Sequence, residues 1–391
     1  MPPNVLFDTL WHDFSDGWSI ASRAYARAMR ASGMGVQLHS WMGATEDPSP
    51  EVLAEVDGML EKLERDLYLF SCTLSSAERS AYSIAALLRI LRPRAFYTMF
   101  ERKSIERHLA VSLNGCDGVM VPCSANRDEL VRAGATNVTY VPYPYFPEDP
   151  HLALPPPTGS RVFYWIGRWE PRKAPHNLIR AFLRAFRAGE AELHLKLGPV
   201  PWRGPYATPE EVIAEELSDS RIAKAWPTLS GVHDGVHVHR GRWPAERVLA
   251  LHASSHVYVS ASRGEGLDLP AQAAKCAGRR VVTTDSGGPR DFLTETDILV
   301  PATGEIPAPP HYRWGPEATL ADYDCDALVA AMQAARGDDR RPERISDDFH
   351  VQNVAPKIRA WVEGIVSSVP RERVERPLTG FGDWLNTENE G

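Results

Sequence analysis

Two loops carry the residue types from which chemistry could be built. The first, Gly167-Arg168-Trp169-Glu170-Pro171-Arg172-Lys173, follows the apolar run 161–167 and sets cations at 168, 172 and 173. Cations at the carboxyl end of a strand can place Arg168 and Lys173 over a pair of phosphates, although the Walker pattern G-x-x-x-x-G-K-[ST] is absent. The second loop, Ser262-Arg263-Gly264-Glu265-Gly266-Leu267-Asp268-Leu269-Pro270, follows the short apolar strand Val257–Ser260. It opens into a helix near Pro270, a residue suited to a first helical position because it has no N–H to lose. The free N–H groups and positive dipole end of that helix favour an anion. Glu265 stands beside them at the carboxyl end of the strand, where ligands sit in open parallel sheets.

Other constellations have plainer explanations. Asp322-Tyr323-Asp324 contains D-x-D, a spacing able to hold a metal, but it lies just before a helix and N-capping accounts for it. His252 and His256 are four apart on a helix, yet no glutamate follows His252, so H-E-x-x-H is not present. His237 and His239 alternate with Val236 and Val238 and read as one outward face of a strand. No metal site is expected. Arg23, Arg27 and Arg30 form one helical stripe, read as a solvated face, with contact to an anionic membrane or acceptor as the alternative.

The elements that must position these loops follow from periodicity and turn residues. Val5–Leu10 reads as a strand, a polar turn ends at Asp16 and Gly17, a helix spans about 19–32, and Val36–Trp41 is a second strand. Residues 43–66 read as a loop and an exposed helix, Ala77–Leu91 as an apolar helix, and Ala95–Phe100 as a strand with Glu101 at its end. Gly118–Val121 runs as a strand into a capped helix, and Val138–Pro142 is a further strand. Seven prolines between Pro142 and Pro157 then mark a linker. Beyond it, strands are expected at 161–167, 192–198, 235–240, 257–260, 280–284 and 297–300. Helices are expected at about 176–187, 209–226, 245–255, 269–277 and 289–294. This βαβ alternation implies parallel sheets. A proline-rich loop at 301–323 and helices at 326–336 and 351–366 complete the reading. The domains are therefore residues 1–150, 151–345 and a C-terminal helix and tail, 346–391, returning toward the first domain.

Composition narrows the function classes. The 391 residues are 43% hydrophobic and 24% charged, an ordinary globular balance. A net charge of −8 gives no global attraction to nucleic acid. Five scattered cysteines without a C-x-x-C pair suggest reduced thiols in a cytoplasm. No signal-peptide pattern is expected ahead of Val5, and no apolar run is long enough to span a membrane.

The chain resembles the retaining glycosyltransferases of the GT-B fold, specifically the large family 4 group. The resemblance rests on Phe163-Tyr164-Trp165-Ile166-Gly167-Arg168 with Lys173, on Leu178-Ile179-Arg180-Ala181-Phe182, and on Ser262 through Pro270 with Gly278. Asp117 through Ser124 and Val141-Pro142 are similar to weaker signals of the first domain. It implies an α/β, GT-B architecture of two Rossmann-like domains, acceptor side first and donor side second, whose parallel sheets face across a cleft. It also implies a nucleotide-sugar co-substrate such as a UDP- or GDP-sugar and no cofactor or metal. Arg168 and Lys173 would neutralise the leaving diphosphate, with Gly167 and the backbone of Gly266, Leu267, Asp268 and Leu269 adding to the donor site. Glu265 would contact the sugar, the turn near Gly17 would close over it, and Asp16 and Glu101 would lie on the acceptor side. The acceptor, whether a glycan, a lipid-linked molecule or a small molecule, is not legible, and modified nucleic acid is disfavoured.

One position departs from the family pattern. A second glutamate, eight residues after the first, normally holds the nucleotide ribose, and here that position is Ala273. An alanine side chain accepts no hydrogen bond. Two alternatives follow: a catalytically weakened, glycosyltransferase-like binding subunit, and an epimerase-type enzyme acting on a sugar nucleotide with the same fold.

Overall fold

Strands β1 (Asn4–Asp8), β2 (Gly35–His39), β3 (Leu67–Ser71), β4 (Arg94–Tyr97), β5 (Gly118–Val121) and β6 (Val138–Tyr140) form one sheet in the order β2-β1-β3-β4-β5-β6. All its pairings are parallel. The computed structural model describes residues 2–12, 17–40, 48–74, 93–159, 161–198, 207–227 and 235–369. A second sheet contains β7 (Val162–Gly167), β8 (Glu192–Leu197), β9 (Val236–His239), β10 (Val257–Ser260), β11 (Arg280–Thr284) and β12 (Ile298–Val300). Its order, β12-β11-β10-β7-β8-β9, is also parallel throughout. The strand order reverses between β7 and β10, the topological switch point at which open sheets bind ligands. The two loops singled out in the sequence leave the carboxyl ends of those two strands.

Helices cover both sheets: α1 (Gly17–Ala31), α2 (Pro50–Glu55), α3 (Arg107–Ser112), α4 (Ser124–Arg132), α5 (Pro175–Ala185), α6 (Pro209–Leu217), α7 (Ser220–Ala225), α8 (Ala245–Ser254), α9 (Leu269–Cys276), α10 (Cys325–Gly337) and α11 (Val351–Ser368). The long α11 belongs to the first core. Its Val354, Ile358 and Val362 are fully buried and pack with Tyr25 and Met29 of α1. The chain crosses between the sheets twice, and the crossings are tied together. Tyr145 N–H donates to Phe349 O, and Val351 N–H to Tyr145 O, both at 2.9 Å.

Several elements differ from the sequence reading, each for a local reason. Strand β3 was not expected. All five of its residues, Leu-Tyr-Leu-Phe-Ser, are buried, so it lacks the alternation that marks a half-buried strand. The expected loop at 301–323 contains an antiparallel pair, β13 (Gly304–Pro307) with β14 (Thr319–Asp322). The expected helix 209–226 is two helices, because Asp219 accepts from Arg221 N–H at 2.8 Å and starts α7 afresh. At 289–294 only a short 3-10 turn, Gly288–Asp291, forms. His252 lies in the last turn of α8, whereas His256 lies beyond it at the approach to β10. The expected helix Ala77–Leu91 lies outside the described residues.

The basic stripe of α1 is not a solvated face. Arg23 is buried, donating to Glu55 Oε2 at 2.7 Å and to Trp11 O at 2.6 Å. Arg27 pairs with Glu55 and Glu148 and lies over the Phe146 ring. Arg30 donates to the Asp57 carbonyl. Glu55 and Glu148 thus neutralise Arg23 and Arg27, whereas Arg30 stays exposed. No described helix is long and apolar enough to cross one.

Candidate active site

The turn after β10 is held on every side by its own backbone. Arg263 N–H donates to Arg172 O and Ala321 N–H to Arg263 O, each at 2.7 Å, so the turn lies between the loop after β7 and strand β14. Glu265 N–H donates to Ser286 O at 3.0 Å and Gly288 N–H returns to Glu265 O at 3.2 Å. Gly287 makes this possible: its φ is +136°, and a Cβ there would sit 2.2 Å from the Glu265 carbonyl. Gly264 meets the other domain, since a Cβ on it would lie 2.0 Å from the carbonyl oxygen of Glu101. The turn is thereby pressed against the segment that follows β4.

Side chains from three segments converge there. Lys173 Nζ donates to Glu265 Oε1 at 2.7 Å. Arg172, completely buried, contacts Glu170 Oε1 at 2.7 Å, Glu101 Oε1 at 3.0 Å and Glu265 Oε2 at 3.3 Å. Its Nη1 also donates to Gly264 O at 2.5 Å, and its backbone N–H donates to the Tyr312 hydroxyl at 2.9 Å. The guanidinium thus joins both loops of the second domain to one carboxylate of the first, and the Arg172 backbone ties in the segment before β14.

The electrostatics follow from burial and pairing. Burial alone would raise the pKa of Glu265, but the charges of Lys173 and Arg172 outweigh it and hold the carboxyl below its usual range. For Lys173, burial works against the charged form and Glu265 overcomes it, so the ammonium is stabilised. Glu101 goes the other way: burial and its neighbours Glu265 and Glu170 raise its pKa despite Arg172. Asp268 is pushed up to about 6 by burial and by the Glu265 charge. Its Oδ1 accepts from Tyr258 Oη at 3.0 Å and caps α9 through Ala271 N–H, while Oδ2 is buried without a partner.

Two of the three described non-glycine residues with positive φ belong to this site. Ala174 (φ 43°) precedes α5, and Asp268 (φ 55°) precedes α9. A left-handed residue costs about 1–2 kcal/mol, and such strain gathers at functional sites. Both helices start at the cleft, bringing two positive dipole ends to the same place.

The expected residues are therefore partly assembled. Glu265, Lys173, Glu101 and Asp268 come together, and Gly266, Leu267 and Leu269 form the turn between them. A Cβ on Gly17 would lie 3.6 Å from Leu269 Cδ1, which sets the start of α1 against the start of α9. Gly167 ends β7. Arg168 stands apart: its side chain is 59% exposed and reaches no closer than 3.9 Å to Glu170. Asp16 lies outside the described residues. Arg172, Glu170 and Tyr312 are the residues that sequence reasoning missed. The alternation Glu170-Pro171-Arg172 was visible, but nothing in it distinguished a buried hub from a surface cation. Asp322 pairs with Arg263 at 2.6 Å and Asp324 caps α10.

The domains also meet through Asp291, which accepts from Ser124 N–H at 2.7 Å and from its hydroxyl. It supplies the cap that Cys123 does not give α4. The space beside Glu265, walled by Lys103, Asn126 and Ser286, is about 40 Å³, room for little more than water. A larger cavity of about 670 Å³ opens among Pro156, His256, Gly278 and Arg341. Size would select it, but the convergent charges lie at the switch point.

Residues 160–307 match the family model described as glycosyl transferases group 1. No curated protein sequence matches the chain. Among solved structures, HepE of Anabaena, crystallised with UDP and glucose, is 12% identical with a TM-score of 0.54, and the match covers 99% of each chain. A UDP-forming trehalose-phosphate synthase from Burkholderia xenovorans is 12% identical with a TM-score of 0.59, covering 93% of this chain and 99% of that one. Sucrose-phosphate synthase from Thermosynechococcus elongatus is 15% identical with a TM-score of 0.57, covering 100% and 98%. The fold is GT-B.

Proposed function

We propose that this GT-B protein is a glycosyltransferase that moves a sugar from a nucleotide-sugar donor to an acceptor with retention of configuration, in the cytoplasm and with protein cations in place of a metal. The observation that carries the proposal is the Lys173–Glu265 pair, 2.7 Å apart, at the switch-point ends of β7 and β10. It lies within the segment that matches glycosyl transferases group 1. The UDP in the HepE crystals favours a uridine donor.

In the proposed reaction the bond between the anomeric carbon and the phosphate oxygen breaks, and its electron pair leaves with the diphosphate. Lys173 and Arg168 neutralise that charge, aided by the N–H groups at the start of α9. Glu265 holds sugar hydroxyls. The acceptor oxygen bonds to the anomeric carbon on the same face, and its proton passes to the departing phosphate. Glu101 faces this space from the acceptor side, and the acceptor itself is a glycan, a lipid-linked molecule or a small molecule.

The Ala273 position favours a second reading, a binding subunit that turns nothing over. Neighbouring Gln272 does not restore an anionic ribose anchor, because its amide is turned to the Tyr143 carbonyl at 3.0 Å. Thermal-shift and calorimetric titration with UDP, GDP and their sugars, followed by donor-hydrolysis assays, separates the two. The transferase reading expects UDP-sugar turnover that Glu265→Gln abolishes, and at least tenfold weaker UDP binding by Lys173→Ala. Nucleotide binding without turnover of any donor, with or without acceptor, favours the binding subunit. Unchanged UDP affinity in Lys173→Ala removes Lys173 from the donor site.

A further inference from the structure

We infer that Glu192, His194 and His237 form a binding site for a divalent transition-metal ion of the zinc class, on the outer edge of the second sheet and remote from the donor cleft. The site follows from the pleat. In β8, Leu193 and Leu195 are fully buried in the core, so Glu192, His194 and Lys196 share the opposite face. Strand β9 is the edge of the sheet. Its parallel register sets His237 directly beside His194 and His239 beside Lys196. Four metal-ligating side chains from two strands thus share one half-buried surface.

The distances suit coordination. Zinc binds imidazole nitrogen and carboxylate oxygen at about 2.0–2.2 Å, so tetrahedral donors lie roughly 3.3–3.5 Å from one another. Glu192 Oε2 is 3.3 Å from His194 Nε2 and 3.7 Å from His237 Nε2. All three donor atoms fall within 4.8 Å of one another. Two imidazoles and one carboxylate are a borderline-soft donor set, matched to zinc rather than to calcium or magnesium. Partial exposure of the three side chains, 23% to 45%, leaves a side for a water as fourth ligand.

His239 acts behind these ligands. His194 Nδ1 and His239 Nε2 are 3.1 Å apart. With the proton on Nδ1, the Nε2 lone pair of His194 faces Glu192 and His237, the arrangement by which an outer-shell partner fixes a ligand tautomer. Trp243 packs against the His239 ring with centroids 5.0 Å apart. The nearest ammonium, Lys196, is engaged elsewhere: it donates to Leu197 O at 3.1 Å and lies 5.9 Å over the Trp243 ring.

Glu192 begins β8, whereas Leu197 ends it at the cleft. At about 3.3 Å per residue, Glu192 lies roughly 16 Å along the strand from that end, with His194 and His237 between, so the ion sits away from the carboxyl ends that face the cleft. Its role is to fasten the edge strand β9 to β8, and it takes no part in the transfer chemistry.

The test uses the full, tag-free chain, stripped with a chelator and titrated with zinc sulfate. One equivalent is expected to bind. His194→Ala, His237→Ala and Glu192→Ala should each weaken binding at least tenfold. His239→Ala should weaken it about 10–100-fold with the stoichiometry unchanged. Zinc should raise the Tm of the wild type but not of the His194→Ala/His237→Ala double variant. Co2+ should give a visible d–d spectrum that the double variant lacks. UDP affinity should be the same in all of these proteins, because the site is outside the cleft. Failure of the wild type to bind zinc overturns the assignment whatever the variants do, as does full binding by the double variant.

Discussion

Replacing Asp268 by Asn should stabilise the protein, and only above mildly acidic pH. The carboxyl is buried, beside the Glu265 charge, and titrates near 6 in the folded chain against an ordinary 3.8. Because the folded value is the higher one, the favourable contribution is complete below about 3.8 and is lost as the pH rises through about 6. At 1.36 kcal/mol per pH unit, that gap corresponds to about 3 kcal/mol of destabilisation at neutral pH. Asparagine mimics the neutral acid. Its oxygen can keep the Tyr258 hydroxyl bond and the α9 cap, and it tolerates the left-handed backbone at this position. The amide N–H takes the place of the acid O–H, so the unpaired Oδ2 position carries the same penalty in both. For a unit of 150–250 residues, 1 kcal/mol moves Tm by about 2–4 °C, so Asp268→Asn should melt about 6–12 °C higher at pH 7.5. At pH 4 the gap should shrink to about 2 °C or less. Thermal scans of both proteins across this range measure it. An equal gap at both pH values, or a variant less stable at pH 7.5, would refute the electrostatic account of Asp268.

Two further substitutions probe the joint between the domains. Arg172→Met leaves Glu101, Glu170 and Glu265 facing one another without the guanidinium and should cost about 3–5 kcal/mol. Its Tm deficit should be smaller at pH 5 than at pH 7.5, because Glu101, already held above the usual range by burial and its acidic neighbours, takes up a proton more readily once the guanidinium is gone, and a deficit independent of pH would show that Arg172 acts through packing alone. Asp291→Ala removes the cap of α4 and should cost about 0.5–2 kcal/mol. It should also quicken amide exchange at Ser124, and unaltered exchange there would mean that the bond across the cleft does not form in solution.

The sequence exposed much of this fold and rather less of the site. Glycine-bounded alternation of apolar runs and amphipathic stretches was enough for eleven of the twelve parallel strands, because half-buried and bounded strands advertise themselves. Strand β3 was hidden because, unlike the equally buried β5, β10 and β11, it has no glycine or proline to bound it anywhere between Gly58 and Pro93. The carboxylate of Glu265 was legible from its place between a strand end and a helix start. Arg172 was not, because its importance is set by Glu101, 71 positions upstream, and by Tyr312, 140 positions downstream, and no local pattern encodes that meeting. The basic stripe of α1 failed for the same reason. Helical spacing told which side the arginines share, while Glu55 and Glu148, which neutralise them, come from elsewhere in the chain.

The charges at the switch point explain why opening of the Lys173–Glu265 pair and donor binding should be a single event under the proposed function. Four carboxylates, Glu101, Glu170, Glu265 and Asp268, stand against three cations, Arg168, Arg172 and Lys173. A diphosphate entering that arrangement unchanged would meet a net negative site, and the space beside Glu265 is too small to admit it. Under that reading, opening of the Lys173–Glu265 pair frees a cation for the diphosphate. Lys173 then turns to the diphosphate, and Glu265, released from the ammonium, becomes an acceptor for sugar hydroxyls. One broken ion pair thus supplies both halves of the donor pocket. Breaking it with nothing bound would leave the Lys173 ammonium unpaired, while Glu265 keeps Arg172, at a cost of several kcal/mol. Under the proposed function the paired form should therefore be the resting state, with the donor's own charge making opening favourable.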